Sequence, residues 1–186
     1  MNKWTILIGV GILVVIGAIV LIMLPPSANA PTNGNGDQVA SFAECVDAGN
    51  PVMESYPRQC RSASGQLFVE DIGNANEKAD LIIADFPRPG DAISSPLVAR
   101  GQARGNWYFE ASFPVEVLDA NGNRIGQGYA QAQGEWMTTD FVPFRSIEVS
   151  FPKQPAGSKG TVVLHKDNPS GLPEHDDQLT IPVTFK

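Results

Sequence analysis

FPVEVLDANGNRIGQGYAQA, residues 113–132, is the stretch whose reading decides the fold. Its first half places Phe113, Val115 and Val117 on one parity, with Pro114 and Glu116 on the other. Successive side chains of an extended strand point to opposite faces, so this alternation predicts a strand with one buried face. Asn121-Gly122 then supplies residues that tolerate positive φ, which predicts a hairpin turn into a second strand, RIGQGYAQA.

The same period of two recurs outward from this hairpin. SIEVSF aligns Ile147, Val149 and Phe151, and LTIPVTF aligns Leu179, Ile181, Val183 and Phe185. With LIIADF, PLVARGQA and GTVVLHK the strands number about seven. PRPGDAISSP and KQPAGSKG read as loops between them. Pro114 and Pro182 lie on the polar parity of their runs, which places them at edges or bulges because proline donates nothing to a ladder. Short strands at this spacing predict an all-β fold, a two-sheet antiparallel sandwich. Both cysteines, Cys45 and Cys60, lie before it, so its core is held by Phe, Ile, Val and Leu burial.

The residues also carry a resemblance. Ser95-Pro96, Gly101, Ala103, Glu110, and Asp119 followed by Asn121-Gly122 occur in the order of the immunoglobulin-like domain of bacterial spore germination, which residues 81–186 resemble. The resemblance implies an immunoglobulin-like sandwich used as an interaction module at the bacterial envelope, with no catalytic role for the domain. The companion germination domain is not part of the chain, so a role in spores does not carry over. The Cys45–Cys60 segment lies outside the match and resembles short two-cysteine pieces of bacterial envelope proteins.

Between Thr5 and Leu24 the chain has no charged residue and is nearly all Ile, Leu, Val, Gly or Ala. At about 1.5 Å per residue, a helix of that length crosses the roughly 30 Å hydrocarbon core of a bilayer. Secretory signals have shorter apolar regions, so residues 1–25 are expected to be a retained anchor; the alternative is cleavage near Ala30, where Ala28-Asn29-Ala30 has the small-x-small form. Lys3 precedes the run and the next basic residue is Arg58, an asymmetry that keeps the N-terminus inside and exports the rest. The expected location is therefore the bacterial cell membrane, single-pass, with the C-terminal domain extracytoplasmic.

Residues 26–41 read as a flexible linker, 42–72 as a small disulfide-stapled module, 73–79 as a second linker and 80–186 as the sandwich. In an oxidising compartment Cys45 and Cys60 are expected to pair, closing a hairpin too small to hold a core of its own. Their spacing excludes a C-x-x-C redox motif, and metal binding lacks partner residues.

The formal charge is −7, with no basic cluster along the sequence, which disfavours nucleic acid. The two histidines, His165 and His175, fit no common zinc spacing. HKDNPSGLPEHDD reads as a polar loop before the last strand, and a candidate binding loop of Asp167, Asn168, Glu174, His175, Asp176 and Asp177 lies in it. All of these but the histidine offer oxygens to a hard cation such as calcium, without the alternation of an EF-hand, so no metal and no cofactor is assigned. Trp107, Tyr108 and Trp136 read first as covering the open ends of the core, with candidate aromatic contacts as the alternative. The common catalytic motifs are missing from the sequence, so the chain is not expected to be an enzyme.

The expected function is non-catalytic binding of an envelope protein or cell-wall partner by a membrane-anchored module. An accessory or inhibitor protein acting on an extracytoplasmic enzyme through the Cys45–Cys60 loop is the alternative, and an envelope hydrolase the third.

Overall fold

A computed structural model of the chain describes residues 39–186. The anchor, most of the first linker and the cleavage position near Ala30 lie outside the described residues. Among the described residues no helix is long and apolar enough to cross a membrane.

The N-terminal module begins with a short helix, α1 (Phe42–Asp47), started by a reciprocal cap. Ser41 Oγ accepts the Glu44 amide at 3.2 Å, and Glu44 Oε2 accepts the Ala40 amide at 2.7 Å. Three short strands follow in a meander: β1 (Val52–Met53), β2 (Gln59–Arg61) and β3 (Leu67–Val69). Cys45 of α1 is bonded to Cys60 of β2, the central strand, and both are fully buried. The staple thus ties a helix to a three-stranded sheet rather than closing a simple hairpin, because the chain after Cys60 turns back and pairs Phe68 with Cys60.

Glu70, just after β3, accepts from Arg58 Nε at 2.9 Å. This bond holds the Glu70 carboxyl below its ordinary value. Its folded-state pKa is lowered, so its stabilisation is present above the unfolded value and is lost as pH falls through the folded one. Arg58 is half exposed and the effect is modest. Acidification below about pH 4, near the ordinary carboxylate value, is expected to loosen the module, read as faster cleavage by an acid protease within residues 52–70; an unchanged rate would show the pair to be idle.

The second linker contains a one-turn helix, α2 (Ala75–Lys78), and is laid against the sandwich. Asn74 Oδ1 accepts the Thr180 amide at 2.8 Å and its Nδ2 donates to the Gln178 carbonyl at 2.9 Å. Lys78 Nζ lies 2.6 Å from Asp177 Oδ1. Residues 39–186 lie within one compact unit.

The sandwich contains β4 (Ile82–Phe86), β5 (Ala92–Ile93), β6 (Arg100–Arg104), β7 (Ser112–Leu118), β8 (Arg124–Ala132), β9 (Phe141–Ser146), β10 (Lys159–His165) and β11 (Gln178–Phe185). Their hydrogen-bonded order is β4-β6-β9-β8-β7-β10-β11-β5. All neighbours are antiparallel except β5, which runs parallel to the end of β11. β8 joins the two layers, since it pairs with β7 along its length and with β9 at its last three residues. Eight strands rather than about seven result, because residues 82–93 split into β4 on one layer and β5 on the other.

The alternation quoted at the outset is the core. Phe113, Val115 and Val117 are fully buried, as are Leu179, Ile181, Val183 and Phe185 to within a few per cent. At the hairpin, Gly122 has φ +79° and Asp119 Oδ1 accepts the amides of Asn121 and Asn123 at 2.8 and 2.9 Å. One strand differs from expectation. The ninth strand is FVPFRS, and SIEVSF forms only an isolated bridge, Val149 to Leu97. Val149 and Phe151 are buried nonetheless, because they cross β8 where Gly126 and Gly128 leave no Cβ in the way. Pro182 does lie where expected, beyond the reach of β5 on the outer edge of β11.

Candidate functional site

The sandwich has one open seam. β4 is hydrogen-bonded to β6 alone, and the first half of β11 has β10 on one side and the Gly73–Asn74 segment on the other, with no strand there. The disulfide module lies over this seam and closes it into a groove of about 590 Å³. Leu179 and Ile181 form its apolar floor, Ile83 and Arg88 one wall, and Tyr56 and Arg58 of the Cys45–Cys60 loop the roof. Tyr56 is 64% exposed, so its ring overhangs the groove instead of packing into a core. Of the carboxylates at its margin, Glu70 is committed to Arg58 and Asp91 Oδ2 to the Arg88 amide at 2.7 Å, while Asp85 has no side-chain partner among the described residues. A few hundred cubic ångströms, mostly apolar with a few polar groups at the rim, suit a ligand segment.

The C-terminal loop is organised differently from an ion site. Asn168 Nδ2 donates to Asp176 Oδ1 at 2.7 Å and to the Leu172 carbonyl at 2.8 Å. His175 Nδ1 is 3.0 Å from Ser170 Oγ, and Asp177 is turned away to Lys78. Burial raises the Asp167 carboxyl above its ordinary value, and the nearby Glu110 adds to this. Glu174 is exposed in the short 3₁₀ turn Pro173–His175. Among the described residues no three His, Cys, Asp or Glu side chains converge on a point that holds a cation. The loop is stitched by its own hydrogen bonds and offers its outer atoms to solvent. His165, on β10, lies elsewhere: its Nε2 is 3.2 Å from Glu116 Oε2 without hydrogen-bond alignment.

Two of the three candidate aromatics are core residues, which corrects their reading as contacts. Trp107 is 1% and Tyr108 4% exposed. The Tyr108 hydroxyl donates to the Val142 carbonyl at 2.7 Å, and burial pushes its pKa well above the ordinary value. Trp136 is half-buried against the same core. An exposed aromatic that the sequence did not single out is Tyr56, which shares the groove with Ile82 and Ile83 and with Leu179 and Ile181, the last two more than a hundred residues away.

A family model, the immunoglobulin-like domain of bacterial spore germination, matches residues 82–172. The sandwich is similar to that family over this span. Comparison with curated proteins and with solved structures finds no match. The matched span of this germination-type domain runs from β4 through β10 and ends in the C-terminal loop, so the disulfide module and β11 lie outside it. Immunoglobulin-like domains are in general non-enzymatic, and a non-catalytic binding module is what the family supports here.

Proposed function

We propose that the chain is a membrane-anchored, extracytoplasmic binding protein of the bacterial envelope that holds its partner in the groove between the disulfide module and the sandwich. The groove carries the reading, because it is built jointly by the two pieces. An exposed tyrosine and a half-exposed arginine overhang an apolar floor beside a strand edge that has no strand partner. The β4 edge presents unpaired backbone donors and acceptors, which a partner segment satisfies. The apolar run from Thr5 to Leu24 and the stapled module support an exported location.

This geometry also changes the alternative, action on an extracytoplasmic enzyme through the Cys45–Cys60 loop. Tyr56 and Arg58 belong to that loop and line the groove, so loop and sandwich act on one surface. Deleting residues 42–72 would remove the roof and would not separate the two readings.

The native cysteines are fully buried and make poor reporters of location. An introduced cysteine serves instead: Asn76→Cys on the groove wall, and Gln127→Cys on the exposed side of β8 as a control. Intact cells are treated with a membrane-impermeant photoreactive maleimide and then illuminated. Both variants are expected to react without lysis, and only Asn76→Cys to give a protein adduct. Reaction only after lysis would refute export. Equal adducts at both positions, or none at either, would refute the groove.

A further inference from the structure

A second surface lies on the outer face of the β4-β6-β9 layer, and none of its residues lines the groove. The β6–β9 register places Arg100 directly opposite Arg145. Both are exposed, while their strand neighbours Gly101, Phe144 and Ser146 are buried, so both point outward from the sheet. On one flank Arg100 packs over the Phe86 ring, its guanidinium carbon 5.3 Å from the centroid. On the other flank Arg145 is opposite exposed Gln131 of β8. The row therefore reads Phe86, Arg100, Arg145, Gln131 across four strands.

Directly opposite residues have Cβ atoms about 4.5–5.5 Å apart, and like charges there repel. Arginine stays charged at any ordinary pH, so neither group relieves the other by losing a proton. Among the described residues no carboxylate lies within ion-pair distance of either guanidinium, and neither makes a side-chain hydrogen bond. The other arginine of this face, Arg104, is by contrast bonded to the Asp80 and Thr139 carbonyls and stacked on Phe141. Two adjacent unpaired guanidinium groups on a chain of net charge −7 are a local reversal of its electrostatics.

We propose that Arg100, Arg145 and Gln131 form a site for a phosphate group. An anion between the two guanidinium groups removes their repulsion and takes their N–H donors in bidentate pairs. The number of donors selects the anion. One guanidinium fork already fills the two oxygens of a carboxylate, whereas two forks and an amide match the three or four oxygens of a phosphate. The Phe86 ring orients Arg100 beforehand, so less side-chain freedom is lost on binding.

The test uses the full chain in uncharged detergent micelles. The arginine Nε–H resonances are followed during titration with inorganic phosphate, with acetate at matched ionic strength, and with phosphatidylglycerol mixed into the micelles. Arg100→Gln and Arg145→Gln identify the two signals; both remove a like-charge contact, so their melting temperatures are expected to match or exceed that of the parent. The expected result is a saturable shift of both signals with phosphate, at least tenfold weaker in either variant, and little with acetate. A response to phosphatidylglycerol stronger than to inorganic phosphate would support the site and name a lipid headgroup as the source. An equal response to acetate would make it a carboxylate site for an acidic protein and overturn the phosphate assignment. Equal shifts of every exposed arginine, or none that saturate, would leave two solvated arginines and end the proposal.

Discussion

Replacing Cys45 and Cys60 together with serine is expected to unfold the N-terminal module while the sandwich stays folded. The module contains a six-residue helix and strands of two and three residues. Elements of that size bury too little apolar surface to offset the entropy of ordering them. The bridge closes a separation of 15 residues, for which loop-closure entropy gives about 3 kcal/mol. Both cysteines are completely buried, so two serine hydroxyls would also be taken out of water, at a further cost of about 1–3 kcal/mol for each left unpaired. Opposing this are the Ser41 cap and the Arg58–Glu70 pair, each a small term at an exposed position.

The sandwich does not depend on either sulfur. Its core cluster runs from Ile82 to Phe185 and includes neither cysteine. Trypsin is therefore expected to cut the double variant quickly after Arg58 and Arg61, and the oxidised parent slowly, with a resistant fragment beginning near residue 80 in both. Reducing the parent with dithiothreitol in mild denaturant should reproduce the variant. If the main thermal transition falls by the full loss, module and sandwich unfold as one cooperative unit and the module is no appendage. The groove would then be a fixed cleft; otherwise its roof opens on reduction while its floor persists.

The strands that the sequence shows plainly are those with one apolar and one polar face. β7 and β11 were legible because Phe113 to Val117 and Leu179 to Phe185 alternate without interruption, and β8 because the Asn121-Gly122 turn leads into it. β9 was not, for a physical reason. Its outward parity carries Phe141 and Pro143 beside the inward Val142 and Phe144, so the period of two is blurred. The neighbouring SIEVSF has the cleaner pattern, yet its burial comes from crossing two glycines of β8 rather than from a ladder. The helix α1 had a local signal that the cysteine pair overshadowed: Ser41 and Glu44 stand in the spacing of a capping box. The two surfaces are a different matter. Tyr56 and Ile181 meet across the groove, and Arg100 and Arg145 across a strand pair, only once the register is set. A sequence without a basic run thus hides a basic pair, because charges separated along the chain become neighbours by pairing alone.

Truncating Phe113 to alanine is expected to be the most damaging single change in the sandwich, at about 3–5 kcal/mol. Phe113 is fully buried on β7, a central strand with β8 on one side and β10 on the other. Its ring stands edge-on to Phe144 at 5.1 Å and tilted against Tyr108 at 5.3 Å, so one side chain joins β7, β9 and the turn before β7. Removing it leaves a void that the sheet cannot fill, because the flanking strands are fixed by their ladders. The two aromatic contacts are lost with it, and Tyr108 keeps only its hydroxyl bond to Val142 as an anchor. Against a typical net stability of about 5–15 kcal/mol, a loss of this size takes roughly a fifth or more. Phe109→Ala is the matched control: the same side chain is removed four residues earlier, where it is 41% exposed, and the change should stay within about 0.5–1 kcal/mol. Urea unfolding followed by tryptophan fluorescence measures both, since Trp107 and Trp136 report the same core. A midpoint shift with an unchanged slope would identify lost packing. A loss below about 1.5 kcal/mol would mean that Tyr108 and Phe144 close over the gap, and that the aromatic cluster fills the core without fixing how the two layers are set against each other.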